Sequence, residues 1–434
     1  MDQVNVGIIG FGTVGAGTAE ILIKNHVIIS KRVGVDIRLK KVADLDLDTD
    51  RGIDLPAGVL TREASEIMDD PGIDIIVELI GGIETAKKFI IRSMESNKHV
   101  VTANKALLAE YGHELYEIAR ENNVNLAFEA AVGGGIPVIG ALRDGLAANN
   151  VRTMIGILNG TSNYILTRMT QDGLPYRDAV NGAIELGYAE DPPILDVDGT
   201  DAAHKLALLI SVAFGVPAPF ENIYREGIDR LTQEDILFAE EFGYCLKLLT
   251  VARDLGDEVE ARVHPAMLPK DHILANVNEA FNAVFIEGDF VGPTLYYGQG
   301  AGRRPTGSAV VSDIMEIAGK IKAGVNTATS PLGFCEAGSR PVKIQSMHNL
   351  KTAYYFRFSA VDKPGVLSKI AGILGEKNIS ISSVIQKGRE TDGAVPIVML
   401  THEAMERDVV EALELIDKLD VLKDRTMMIR VEEG

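Results

Sequence analysis

The sequence predicts an α/β protein in three parts. These are an N-terminal doubly wound parallel sheet, a central α+β domain, and a C-terminal module of ferredoxin-like βαββαβ order. Three observations carry this expectation. A short apolar run at residues 4–9 ends in Gly10-Phe11-Gly12-Thr13-Val14-Gly15 and passes into a helical pattern. Strand-like and helix-like runs then alternate through the first third. Beyond a stretch rich in Gly, Pro, Ser and Thr at residues 325–343, a second alternation fills the last fifth of the chain.

A chain of 434 residues with 46% hydrophobic content is long enough for two or three domains with sizeable cores. No run approaches the ~18 consecutive apolar residues of a membrane span, and the N-terminus shows no basic region ahead of an apolar one. Two cysteines far apart, Cys245 and Cys335, make neither a disulfide framework nor a metal-ligand spacing. A reducing cytoplasm is the expected location. A net charge of −19 argues against nucleic acid and anionic membranes as partners.

In the first part, strand, GxGxxG and helix form the Rossmann-type dinucleotide fingerprint. Gly10 permits a tight turn, Gly12 lets the backbone approach a pyrophosphate, and Gly15 lets the helix pack on the strand. The helix N-terminus offers free N–H groups to phosphates. A second strand at 37–43 ends in Asp44, the position of a ribose-binding carboxylate, which favours NAD. Lys40 and Lys41 leave NADP open, and a solvated strand edge explains them equally well. Strands at 73–80 and 99–102 flank a helix at 84–97. The fourth strand ends in Thr102-Ala103-Asn104-Lys105, which places Lys105 at the carboxyl edge of the sheet, toward the nicotinamide end of a bound cofactor. This domain is expected to span 1–135, with a helix near 303–322 returning to it.

The central domain, 136–302, is approached through a strand at 125–131 and the glycine run 133–135. Glu129 with exposed carbonyls there forms an oxygen cage for a hard cation, or the run is a plain hinge. A strand at 151–158 leads into Asn159-Gly160-Thr161, small polar residues suited to a polar ligand or to an ordinary helix cap. Residues 183–214 then collect Glu190, Asp191, Asp196, Asp198, Asp201, His204 and Lys205 ahead of a helix that is apolar all round. Asp201 and Lys205 fall on one face, one turn apart. Burying such charges is costly unless they are paired or used. Strands at 245–253, 259–263, 283–287 and 290–297 follow. A glycine-rich turn ending in Gly302, with Arg303 and Arg304 available to an anion or cofactor, opens a helix at 308–320. After a linker at 323–350, the module 351–434 reads strand 352–361, helix 366–376, strand 379–386, strand 394–401, helix 405–419 and strand 424–431.

GFGTVG, TANKALLAEYG, FEAAVGGGIP, ILNGTSNYIL, GYAEDPPILDVDGTDAAHK and GQGAGRRPT occur in this order over roughly the first 320 residues. Together they resemble homoserine dehydrogenase, and DKPGVLSKIAGILGEKNISISSV resembles the opening of an ACT domain, an amino-acid-sensing module. The resemblance implies NAD(P)H-dependent reversible reduction of L-aspartate 4-semialdehyde to L-homoserine. It implies Lys205 as proton donor and acceptor, Lys105 beside nicotinamide and substrate, and Asp201 and Asp196 in the polar site. Glu190 is expected to meet the substrate ammonium, with Asn159, Gly160 and Thr161 as further contacts. Gly10 to Gly15, Asp44, Thr102, Lys105 and Gly302 are the expected cofactor contacts. It implies a sodium ion on Glu129 and the carbonyls of Val132, Gly134 and Ile136. It further implies an effector, L-threonine, near Asp362, Pro364, Gly365, Val366, Asn378 and Ile379, and a homodimer or homotetramer. One departure stands out: Pro192-Pro193 occupies the family's Asp-Pro position, and the aspartate is at Asp191 instead.

Overall fold

A computed structural model describes residues 3–215, 218–325, 330–334, 343–387 and 394–433. The strand Gln3–Ile9, buried from Val6 onward, takes the centre of a six-stranded sheet. Asp36–Ala43 and then Leu60–Thr61 lie on one side of it. Ile75–Glu78, His99–Thr102 and Leu126–Ala127 lie on the other. Every pairing is parallel. Chain order therefore reverses at Gln3–Ile9, and the crevice beyond its carboxyl end is where a doubly wound sheet binds ligands.

The expected strand at 125–131 is shorter. It stops at Ala127, and Glu129–Ala131 forms a 3-10 turn. The cause is the Glu129 side chain, which turns back to accept the N–H groups of Ile139 at 2.8 Å and Gly140 at 2.7 Å. The returning helix runs Arg303–Lys322, as expected of the element that rejoins the first domain, and it starts ahead of the apolar pattern at 308–320. Proline is tolerated in a first helical turn, so Pro305 does not delay its start. It docks on Thr13–Lys24 through glycines. A Cβ on Gly17 would lie 1.9 Å from the Arg303 carbonyl oxygen, and one on Gly307 would lie 2.8 Å from the Gly17 backbone.

The central strands pair antiparallel in the order Gly292–Gln299, Phe281–Gly288, Val151–Ile157, Tyr244–Asp254, Glu258–Pro269, with the first strand in sequence at the middle. Helices Gly160–Gln171, Thr200–Phe214 and Gln233–Glu241 pack on it. The C-terminal module has strand order Met427–Val431, Tyr354–Ala360, Val395–Thr401, Ile381–Gln386. Helices Val366–Glu376 and Glu406–Ile416 complete the expected βαββαβ unit.

The C-terminal module is not a loosely tethered appendage. Met427–Val431 pairs in parallel with Glu258–Pro269, joining both sheets into one. Part of the expected linker is ordered as well: Lys343–Ile344 pairs with Glu258 and Val259. Residues 326–329 and 335–342, including Cys335, lie outside the described residues.

Candidate active site

Residues 201–212 of the helix Thr200–Phe214 are all buried, as its sequence requires. Its first two turns carry Asp201 and Lys205 inward. Lys205 Nζ donates to Asp201 Oδ2 at 2.7 Å and to the Leu158 carbonyl at 2.7 Å. The other carboxylate oxygen of Asp201 lies 3.1 Å from Nζ of Lys105. Lys105 opens the helix Lys105–Glu121 at the carboxyl edge of the parallel sheet. Asp201 thus holds two ammonium groups, one from each domain. Asn159 Nδ2 donates to Asp201 Oδ2 at 2.9 Å and to Asp196 Oδ1 at 2.7 Å, fixing both carboxylates.

The electrostatics separate the two lysines. Burial pushes the Lys205 ammonium below its ordinary pKa, against the pull of Asp201, while Lys105 adds to the lowering. The charge of Asp201 leads the upward shift of Lys105, whose side chain is 39% exposed. For Asp201 itself burial acts upward, but the two ammonium charges and the hydrogen bonds from Lys205 and Asn159 outweigh it and hold it well below the usual carboxylate range. Burial raises Asp196, partly offset by Asn159. The arrangement presents one buried lysine biased toward losing its proton and one half-buried lysine that keeps it.

Other expected residues take different places. Glu190 is exposed at the mouth of the site and acts on Lys105 through its charge. Thr161 spends its hydroxyl on the Tyr188 carbonyl at 2.6 Å, so its side chain anchors the loop that carries Glu190. Gly160 is a packing position, since a Cβ there would sit 2.8 Å from the Ala280 carbonyl. Thr102 is wholly buried and donates to Glu78 at 2.6 Å; it braces the edge of the sheet rather than facing the crevice.

On the cofactor side, Gly10 has φ of +103° and abuts the Leu79 backbone, and a Cβ on Gly15 would lie 2.0 Å from the Gly10 carbonyl oxygen. Gly12 faces open space, the approach a pyrophosphate requires. A cavity of about 610 Å³ continues past Asp44, Arg62, Ile80 and Arg92. Asp44 Oδ2 accepts the Phe11 N–H, and Oδ1 accepts the Asp46 N–H. Arg51 lies beside Asp44 at 3.6 Å and over the Phe11 ring. Lys40 and Lys41, proposed for a 2′-phosphate, are instead paired with Asp70 and Glu66. Arg303 and Arg304 pair with Glu20 and so fasten the first helix. Gly302, with φ of +122°, caps the returning helix. Arg51 and Arg62 escaped the sequence reading because they sit in an aperiodic loop.

The glycine run Gly133 to Gly135 lies against the loop ending in Gly302. Gly135 N–H donates to Gln299 at 3.0 Å, and a Cβ on Gly134 would meet Gly300 at 2.5 Å. Burial pushes the carboxyl of Glu129 up, and Asp313, fully buried beside it, is pushed up further. In the C-terminal module, Asp362, Pro364, Gly365 and Asn378 are exposed, whereas Val366 and Ile379 belong to its core. Gly365 and Asn378 stand at opposite ends of Val366–Glu376, about 16 Å apart by helix rise. They do not share one site within a single chain.

A dinucleotide crevice facing a buried lysine–aspartate–lysine centre defines an NAD(P)-dependent oxidoreductase. Family models agree: "Homoserine dehydrogenase, NAD binding domain" matches residues 10–129, "Homoserine dehydrogenase" 137–315 and "ACT domain" 354–421. The homoserine dehydrogenase of Neisseria gonorrhoeae is 44% identical over 432 residues, covering 100% of this chain and 99% of the relative. That of Pseudomonas aeruginosa is 43% identical over 434 residues, covering 100% of both. Among solved structures, the enzyme from Thiobacillus denitrificans superposes with a TM-score of 0.94 at 44% identity, covering 100% and 99%. A hyperthermophilic archaeal homoserine dehydrogenase in complex with NADPH matches 73% of this chain and 97% of its own, with a TM-score of 0.61 at 28% identity. The chain belongs to the homoserine dehydrogenase family, and it carries an ACT domain. No described helix is long and apolar enough to cross a membrane.

Proposed function

We propose that Lys205 carries the proton in the reversible reduction of L-aspartate 4-semialdehyde to L-homoserine. The observation behind this is the burial of its ammonium within hydrogen-bond reach of a carbonyl and one aspartate. A bound nicotinamide supplies or accepts the hydride. During reduction the substrate oxygen gains negative charge, and Lys205 donates a proton to it; in oxidation the neutral amine takes that proton back. Asp201 orients both lysines more than it activates either, since a carboxylate favours the charged ammonium. Lys105 keeps its charge and stabilises the developing oxyanion. Glu190, exposed at the entrance, is the partner for the substrate ammonium, with Asp196 as second carboxylate.

Asp44 suits the ribose hydroxyls of NAD, and Arg51 and Arg62 suit the 2′-phosphate of NADP, so turnover with both is expected. We assign a sodium ion to Glu129 and the carbonyls of Val132, Gly134 and Ile136, oxygen donors of the kind a hard cation takes. Two buried carboxyls raised by burial are the chemistry such a cation would relieve. We assign L-threonine as effector at Asp362, Pro364 and Gly365 in a homodimer or homotetramer. Support comes from the sheet edges: Ile381–Gln386 bounds one end with Val384 exposed, and Gly292–Gln299 bounds the other with Tyr297 exposed.

Homoserine oxidation with NAD and with NADP, on wild type and Lys205→Ala, tests this reading. The variant should lose about 10²–10⁴ in kcat while still binding cofactor. Unchanged turnover would overturn the role of Lys205.

A further inference from the structure

We propose that Asn282 is a positioning residue for Lys205, acting through the backbone carbonyl of Leu158. The proposal rests on the reading of Lys205 as the proton-transfer group. Leu158 follows the strand Val151–Ile157, and its carbonyl accepts two hydrogen bonds, from Lys205 Nζ at 2.7 Å and from Asn282 Nδ2 at 2.9 Å. Both lone pairs of this oxygen are therefore in use. Asn282 and Leu158 are wholly buried.

The orientation of the Asn282 amide is dictated by that contact, since only the nitrogen can donate to a carbonyl. Its Oδ1 is left buried and without a partner among the described residues. An unsatisfied buried acceptor is a cost. The neighbouring positions of Phe281–Gly288 are mostly apolar, and an apolar residue would fill this place without that cost. Gly300 makes room for the amide: a Cβ there would lie 2.2 Å from Asn282 Cγ. The amide thus lies flat against the loop that ends in Gly302. One side chain bridges the acceptor of Lys205 and the cofactor-side loop.

The effect on Lys205 follows from competition. A carbonyl that also accepts from Asn282 is held in place and gives less of its lone-pair density to the ammonium. The free amine is favoured accordingly. The charged groups around Lys205 are Asp201 on its own helix, Lys105 on Lys105–Glu121 and Asp196 on the short helix Ile194–Val197. Asn282 is a neutral donor that adds to the effect of Lys105 and opposes both carboxylates.

The test is the pH dependence of homoserine oxidation by the full chain carrying Asn282→Leu or Gly300→Ala. The first removes the donor at similar volume, and the second displaces the same amide from behind. In this direction Lys205 must be neutral, so kcat rises with pH through its titration. Each variant should move the rising limb up by about half a pH unit or more, and so lower kcat about threefold or more below its midpoint. The homoserine KM and the NADPH dissociation constant should stay within about twofold of wild type. A purely structural role predicts the same fractional loss at every pH. An unchanged midpoint in either folded variant, or a downward shift, overturns the proposal. If both variants fail to fold, the contact is structural and the proposal falls as well. A wild-type enzyme that does not oxidise homoserine would instead overturn the reading of the active site.

Discussion

His204 sits between Asp201 and Lys205 in the sequence of the helix Thr200–Phe214. Its imidazole stacks on Phe220 with centroids 4.2 Å apart. Burial pushes its pKa down to about 4, against the pull of Asp201. The unfolded chain takes up a proton near pH 6.5 that the folded chain refuses until about pH 4. Stability from this group is therefore complete above pH 6.5 and falls as pH drops through that window, by on the order of 2–3 kcal/mol. His204→Phe keeps the stacking and removes the titration. Urea midpoints at pH 7 and pH 4.5 should differ less in the variant than in wild type; equal losses would refute this. At this scale the sequence was informative about Asp201 and Lys205, because both lie on one helix. It was silent on Asp201 being shared with Lys105, since only the fold brings two distant segments together. Asn282 left one faint signal, a lone amide among apolar neighbours.

The elements that carry these residues are held by close backbone approach. Thr13–Lys24 supplies the phosphate-facing turn and Arg303–Lys322 supplies Gly302, and the two cross at Gly17 and Gly307. Helix propensity alone would reward Gly17→Ala by about 0.8–1 kcal/mol. The crossing opposes it, because the new Cβ would overlap a backbone oxygen that no rotamer change can move. Overpacking should win, with a net loss of about 1–3 kcal/mol. Calorimetry should show a lower Tm, and fluorescence titration should show weaker NADPH binding. A higher Tm would mean that the helices separate freely. The glycine turn was legible in the sequence because its function is local. The crossing was not, because the glycines that permit it, Gly17 and Gly307, are 290 residues apart with the whole central domain between them. Glu129 shortened its strand for a related reason: its partners, Ile139 and Gly140, come from the next helix rather than from the strand.

At the scale of the molecule, the ACT domain and the catalytic sheet share one edge and a buried set of charges across it. Arg262, 1% exposed, donates to Glu260 at 2.9 Å and to Glu432 at 2.6 Å, and Arg253 also reaches both carboxylates. On the neighbouring stretch, Arg430 joins Glu406 of the ACT domain to Glu226 of the catalytic domain. Sequence periodicity marked both domains as separate folds, and it carries no signal for pairing between their edge strands. The join changes how regulation is to be tested. A chain cut near Val325 would lose the ACT domain, but it would also lose Glu432 and leave Arg262 with one carboxylate instead of two. Glu432→Ala isolates that second effect within the full chain. It leaves a buried guanidinium underpaired and should cost about 3–5 kcal/mol. The double variant Arg262→Met/Glu432→Leu removes both charges at similar volume and should recover much of the loss. Urea unfolding of the three chains decides the matter. If Glu432→Ala is as stable as wild type, the charges at the join are spectators, and a truncated chain becomes a fair control for the effector. If it is destabilised and the double variant recovers, the ACT domain is part of the catalytic fold.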